Sequence, residues 1–106
     1  MHRYTVQCEF DREQVAGEWL RWLRDEHIGD MLAAGATRAE IIRLDGPAWA
    51  FRVDYEFPDF DSYERYNTAH ADRLQTECLG RFPLDLGIRY ERTSGECIAT
   101  LPGSDQ

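Results

Sequence analysis

The sequence contains no lysine. All twelve of its basic residues are arginine, and they stand against twenty aspartates and glutamates. Without a lysine amine the chain cannot form a Schiff base with a carbonyl substrate, so that class of enzyme is excluded. The formal charge of −8 repels the phosphate backbone of nucleic acid, and we therefore expect no nucleic-acid partner.

Cysteine is scarce, and its positions exclude the usual cysteine sites. Cys8, Cys78 and Cys97 lie far apart, without the close pair that a zinc site uses and without a disulfide framework. No HExxH, HxxxH, GxSxG or glycine-rich phosphate loop is present, so metalloprotease, serine hydrolase and kinase templates do not apply. We expect no metal, no cofactor and reduced thiols.

Long apolar runs are also absent. Residues 3–10 alternate between polar and apolar side chains instead of forming the continuous apolar stretch of a signal peptide. No later run approaches the length that a membrane-spanning helix needs. We expect a cytoplasmic protein without a membrane partner.

The patterns that are present predict four strands. Apolar and polar residues alternate with period two over residues 3–10, 49–57 and 84–91. Residues 37–45 predict a further strand because Ile41, Ile42 and Leu44 precede the turn residues Asp45-Gly46-Pro47. The alternation is clearest over residues 49–57, where a large apolar side chain occupies every odd position. That segment is therefore predicted to be a central strand.

Apolar residues at helical spacing predict two helices between these strands. The first begins at Arg12, with Asp11 as its N-cap, and we expect a kink or break near His27-Ile28-Gly29 before the helix ends. The second follows Pro58 and ends near Gly80. Trp22 lies at the margin of the first apolar stripe, where we expect an exposed ring.

The order strand, helix, strand, strand, helix, strand predicts a ferredoxin-like βαββαβ sandwich of the α+β class. Its four-stranded antiparallel sheet carries two helices on one face, within a domain of residues 1–93 followed by a tail of residues 94–106. Nothing is left to cover the other face, and we expect homodimerisation through it. The residues expected on this open face are Arg43, Arg52, Asp54, Glu56, Arg89 and Glu91. The arginines form either an anion-binding cluster or ion pairs with the neighbouring acids.

Two helical signatures resemble a known family. Trp19-x-x-Trp22-Leu23 precedes Glu26-His27-Ile28, and the second helix carries Tyr63-x-x-x-Asn67-x-x-His70-Ala71. These segments resemble a family of small bacterial proteins classed as a domain of unknown function. Its members resemble the dimeric α+β barrel superfamily, which also contains cofactor-free monooxygenases of antibiotic biosynthesis. The resemblance implies a ferredoxin-like protomer and a dimer, and it assigns no catalytic residue.

His27 and His70 lie on the apolar stripes of two helices that run side by side over the sheet, so both imidazoles are expected to point inward. A buried neutral imidazole acts as a general base when a second group orients it. The candidate pocket comprises His27, His70, Tyr63, Asn67, Glu26 and Trp19. The alternative is that both histidines are hydrogen-bonded core residues and that the rings only fill the core.

Two functions remain open from the sequence. The first is a dimeric protein without catalytic activity that binds a small molecule between sheet and helices. The second is a cofactor-independent monooxygenase or isomerase that uses a pocket lined by His, Tyr and Asn. A cavity of ligand size lined by both histidines favours the enzyme, whereas a filled core with both rings hydrogen-bonded to neighbours favours the protein without catalytic activity.

Overall fold

Four antiparallel strands form one sheet in the computed structural model, which describes residues 1–103. The strands are β1 (His2–Phe10), β2 (Arg38–Arg43), β3 (Trp49–Phe57) and β4 (Ile88–Glu96), and their order across the sheet is β2-β3-β1-β4. Because β1 and β3 are central, the prediction of a central strand at residues 49–57 is confirmed. The last three residues of the expected tail, 104–106, lie outside the described residues.

Helical segments follow β1 and β3 and cover one face of the sheet. The first connection contains α1 (Glu13–Trp22), a π-helical turn (Leu23–His27) and α2 (Ile28–Ala33). The second contains α3 (Phe60–Ala69), α4 (Ala71–Arg81) and a 3-10 turn (Leu84–Leu86). The ferredoxin-like α+β fold is therefore confirmed. The break expected near His27-Ile28-Gly29 is the end of the π turn at His27, and Gly29 itself lies inside α2.

The odd residues of β3 form the centre of the core. Register places Phe51, Val53 and Tyr55 opposite Cys8, Val6 and Tyr4 of β1, respectively, and directly opposed residues of neighbouring strands share a face. Phe51, Val53, Tyr55 and Phe57 are each at most 5% exposed. These large side chains dominate the apolar area that folding removes from water, so the alternation of β3 determines which face of the sheet the helices cover.

Arg43 lies on the helix-covered face, and its expected position on the open face is wrong. It pairs with the core residue Phe51 in the register of β2 against β3. Its guanidinium carbon lies 4.7 Å from the centroid of the Trp49 ring, in a cation–π contact. Because Ile41 and Ile42 are adjacent, the sequence of β2 does not show which of its residues face the helices. Pairing with β3 shows this, since Ile41 lies opposite the core residue Val53.

Asp11 does not cap α1. The N-cap position is Arg12, which makes no side-chain cap hydrogen bond. Instead the backbone N–H of Asp11 donates to the Gly87 carbonyl at 2.9 Å, and its Oδ1 accepts from Arg89 Nη1 at 3.0 Å. Asp11 therefore links the end of β1 to the start of β4. Its hydrogen bonds to Gly87 and Arg89 replace the predicted cap of α1.

The fourth strand differs from its prediction at both ends. Residues 84–86 form a 3-10 turn that ends at Gly87, whose φ of 81° lies in the left-handed region. The strand then runs to Glu96, which pairs with His2 at the start of β1. The expected boundary at residue 93 thus falls inside a strand, since β1 is long enough to pair with residues beyond it.

Candidate functional site

A narrow cleft lies between the sheet and the helices. Its cavity volume is about 30 Å³, which is enough for a water molecule. The aromatic part of its lining consists of Tyr4, Trp19, Trp22, Tyr55, Tyr66 and Tyr90. The remaining lining residues are Val6, Leu23, Val53, Leu74 and Cys78, with His27, Gln75 and Arg92 as additional polar groups.

The π turn determines where His27 points. At the 100° per residue of an α-helix, residues five apart point about 140° away from each other. The His27 ring nevertheless stacks on the Trp22 ring, with 4.7 Å between the centroids. A π-helical turn holds more residues than an α-helical turn, so it brings residues i and i+5 to the same side. His27 reaches the cleft for this reason.

His27 is neutral in this position. Its Nδ1 atom is buried and has no hydrogen-bond partner among residues 1–103. Burial lowers the pKa of His27 to about 4, and the Asp30 carboxylate only partly offsets this effect. At neutral pH the imidazole is therefore unprotonated and can accept a hydrogen bond.

Other polar atoms of the cleft are hydrogen-bond donors. The Nε1 atom of Trp19 is buried without a partner in the described part of the chain. Burial raises the pKa of Tyr4, Tyr55 and Tyr66, so their phenols remain protonated at neutral pH. The cleft thus presents an apolar, aromatic wall with a few fixed polar groups, which is the usual composition of a small-molecule site.

The structure places two of the six candidate pocket residues, His27 and Trp19, in this cleft. Glu26 is exposed and forms an ion pair with Arg81 at 3.4 Å. Because Glu26 points to solvent, it does not orient the His27 ring.

The other three candidates lie on the second helical segment and are not brought to the cleft. Tyr63 is half-buried and stacks on His2 with 4.5 Å between centroids. Asn67 is exposed, and the half-buried His70 has Nδ1 3.0 Å from an Arg73 guanidinium nitrogen. Tyr63 packs against the core outside the cleft, whereas the expected inward position of Asn67 is wrong because Tyr66 is the buried residue of this turn.

Arg92 is a cleft residue that the sequence prediction missed. It lies opposite Val6 in the register of β4 against β1, and it continues the inward row of Ile88 and Tyr90. The apolar alternation of this strand ends at Tyr90, and only the pairing of β4 with β1 identifies Arg92 as inward-facing. Gln75 and Tyr66 were missed because a helical stripe does not indicate which marginal position faces a cleft.

The open face of the sheet carries the predicted charges apart from Arg43. Arg52 Nη2 donates to Asp54 Oδ2 at 3.0 Å, and Arg89 Nη2 donates to Glu9 Oε1 at 3.1 Å. Glu56 forms an ion pair with Arg3, and Glu91 lies with them on this face opposite Gln7. The ion pairs support the interpretation that the arginines neutralise neighbouring acids rather than form an anion cluster. A groove of about 420 Å³ crosses this face and is lined by Arg3, Thr5, Gln7, Arg52, Asp54, Glu91 and Thr93.

Over residues 1–103 the histidines, cysteines and acids nowhere form a group of three or more that could hold a metal ion. Within the same range no helix has both the length and the apolar character needed to cross a membrane. Burial raises the pKa of Cys8 and Cys78, so neither thiol is a thiolate at neutral pH.

The fold and the cleft define a ferredoxin-like α+β protein with an aromatic site between sheet and helices. The chain belongs to the family described as Domain of unknown function (DUF4286), whose model matches residues 1–87. No curated protein sequence matches the chain.

Several solved structures share the fold. A dimeric ferredoxin-like protein from an uncultured marine organism is 15% identical, with a TM-score of 0.73 over 94% of this chain and 97% of its own. A second dimeric ferredoxin-like protein from an uncultured marine organism is 13% identical, with a TM-score of 0.62 over 97% and 100%. SnoaB, a cofactor-independent oxygenase from Streptomyces nogalater, is 13% identical, with a TM-score of 0.67 over 96% and 98%. At these identities the likeness shows the fold alone.

Proposed function

We propose that this protein is a homodimer that binds a small planar organic molecule in the cleft between its sheet and its helices. The observation that carries the proposal is a pair of buried ring nitrogens, Trp19 Nε1 and His27 Nδ1, which have no partner within residues 1–103 and belong to two residues that line the same cleft. Buried polar atoms of folded proteins are nearly always hydrogen-bonded. A hydroxyl group both donates and accepts, so one ligand hydroxyl can serve either nitrogen.

The shape of the cleft favours a flat ligand. Trp19, Trp22 and Tyr66 offer ring faces and edges, against which an aromatic ligand packs with the geometry that aromatic pairs prefer. The free space in the cleft is only wide enough for a water molecule. The aromatic ring of a ligand therefore enters only when side chains at the mouth of the cleft move. Gln75 and Arg92 are half-buried and have flexible stems, which suits them to this movement.

The open face supports the dimer. Its charged residues are already arranged in pairs of opposite sign, and a two-fold axis brings such a surface against an identical copy. Arg52 Nε is buried and has no partner in the described residues, so a second copy can supply its acceptor. Two solved neighbours are described as dimeric. We place this dimer in the cytoplasm, as the reduced cysteines suggest.

Titration with 2-naphthol, followed by isothermal calorimetry, tests the ligand proposal. We expect saturable binding that His27→Phe weakens about five- to tenfold, because a lost hydrogen bond is worth about 1 kcal/mol. The substituted ring can still stack on Trp22. His70→Phe is the matched control, since His70 lies outside the cleft, and it should leave the affinity within about twofold. Equal affinities for the two variants would contradict the proposal.

His27 also supports a second candidate, a cofactor-independent oxygenase or isomerase. With its pKa lowered to about 4 the imidazole is a weak base, so it suits only an activated C–H bond, such as the one next to the carbonyl of a bound ketone. The probe is 2-tetralone in D₂O, whose α-proton signal should decay about tenfold faster with the wild-type protein than with His27→Phe. An oxygenase consumes dissolved oxygen and an isomerase does not, so the oxygen concentration in the same sample distinguishes the two reactions. Equal decay rates with the wild type and with His27→Phe would contradict this candidate, and only the binding function would remain.

A further inference from the structure

We infer that the molecule bound in the cleft is an aromatic carboxylate, held by the guanidinium group of Arg92. This inference rests on the proposed function and names the class of ligand. Arg92 lies on the helix-covered face of the sheet, opposite Val6, and it lines the cleft together with His27 and Gln75. Its guanidinium carbon lies 5.2 Å from the centroid of the Tyr90 ring. In this contact the guanidinium group of Arg92 lies against the aromatic wall.

Arg92 has no counter-ion in the described chain. None of the ion pairs within residues 1–103 involves it, although the arginines of the open face are paired with acids. The sequence has twenty acids and twelve arginines, so an unpaired arginine in a half-buried position is not a consequence of missing carboxylates. A partly desolvated cation without an anion is unfavourable, and an anionic ligand removes that cost.

The charge of Arg92 acts throughout the cleft. It lowers the pKa of Tyr4 and Tyr66 against the larger effect of burial, and it contributes to the lowered pKa of His27. An anion placed among these groups therefore meets a positive potential although the whole chain is acidic. The protonated phenols of Tyr4 and Tyr66 supply additional O–H donors for it.

The geometry of guanidinium favours a carboxylate over other anions of similar size. Its planar fork of N–H groups matches the two oxygens of a carboxylate, and charge-assisted bonds of this kind are about twice as strong as neutral ones. The aromatic lining receives the ring to which the carboxylate is attached. A neutral amide of the same shape offers only one acceptor and no charge.

Calorimetric titration of the full chain with naphthalene-2-carboxylate and with naphthalene-2-carboxamide tests the inference. We expect the carboxylate to bind about tenfold more tightly than the amide, a difference of about 1.4 kcal/mol. Arg92→Gln should abolish this preference and leave amide binding within about twofold. Arg65→Gln removes the same charge from an exposed position on α3 and should preserve the preference. Arg92→Met retains an apolar stem against Tyr90 and is the second variant, with the same expectation.

The outcomes separate the inference from the proposed function. Equal affinity of the wild type for the two naphthalenes overturns the carboxylate inference and leaves the cleft as a site for neutral molecules. A preference that survives both substitutions of Arg92 overturns the assignment of the anion to this residue. Failure of both naphthalenes and of 2-naphthol to bind overturns the inference and the proposed function together.

Discussion

The imidazole of His27 has a pKa of about 4 in the folded chain, whereas its ordinary value is 6.5. Between these two values the unfolded chain binds more protons than the folded chain, so the free energy of unfolding rises with pH across this window. It is highest above pH 6.5 and falls as the pH approaches 4. The loss is at most about 3 kcal/mol, because one pKa unit corresponds to 1.36 kcal/mol.

Urea denaturation at pH 7 and pH 4.5 measures this effect. We expect the wild type to be about 2 kcal/mol less stable at pH 4.5, and we expect His27→Phe to lose most of that difference because phenylalanine does not titrate. His70→Phe leaves the His27 environment intact and should keep the wild-type difference. A pH dependence that is the same in all three proteins would show that His27 is solvated in solution.

Gly87 offers a second prediction at the scale of one residue. Its φ is 81°, and a Cβ atom at this position would lie 2.7 Å from Asp11 Oδ2. Gly87→Ala therefore combines backbone strain with a clash, and we expect a loss of about 2 kcal/mol in the free energy of unfolding. Gly80→Ala is the control, since Gly80 lies in α4 with open space around its Cα atom. We expect it to be neutral or slightly stabilising, and equal losses for the two variants would contradict this account.

At the scale of secondary structure, strands were easier to predict than the inward faces of helices. Period-two alternation predicted β3 with its observed bounds, since a strand has only two faces. The first helix contains a π turn, and apolar spacing at 100° per residue predicted an exposed Trp22. That prediction is wrong: Trp22 is 7% exposed and packs on Phe82 with 5.5 Å between ring centroids. Trp22 precedes the π turn, and its ring is buried because Phe82 from the second helical segment and the stacked His27 ring cover it.

The α1 helix gives a prediction at this scale. Gly17 lies in the interior of α1 and is exposed, and a Cβ atom added to it would meet no other atom within 4 Å. Gly17→Ala should stabilise the protein by about 0.5 to 1 kcal/mol because alanine loses less backbone entropy than glycine in a helix. Urea denaturation at pH 7 measures the change. Gly103→Ala, outside any helix or strand, is the control and should have no effect. A destabilised Gly17→Ala variant would mean that α1 packs closely at this position in solution.

At the scale of the whole molecule, the order of elements and the alternation of β3 were sufficient to predict the fold and its uncovered face. The cleft was only partly predictable, because its members come from several separate elements. His27 and Trp19 were identified from helical stripes, whereas Arg92 depends on the length of β4 and on its register against β1. Register is a long-range property, so no local pattern in β4 alone shows that residues 92–96 continue the strand.

The open face provides the prediction for the assembled protein. We expect a particle of twice the 12.4 kDa chain mass at micromolar concentration, measured by sedimentation velocity. Gln7 and Thr93 are exposed and line the groove of this face, where Arg3 and Arg52 neighbour them. The double variant Gln7→Glu and Thr93→Glu adds two negative charges per protomer. The two glutamates are compatible with a folded protomer because Arg3 and Arg52 lie close to them. In a face-to-face dimer, however, the added negative charges of one copy repel those of the other.

The dissociation constant of the dimer should therefore rise at least about tenfold, since like charges brought together at an interface cost several kcal/mol. The matched control is Thr68→Glu with Thr76→Glu, which adds the same charge to exposed positions of α3 and α4, on the helix side of the sheet. This variant should sediment as the wild type does. If both double variants dissociate equally, net charge rather than the open face controls assembly. If neither dissociates, the copies meet through another surface, and the buried Arg52 Nε must find its acceptor in solvent instead of in a second copy.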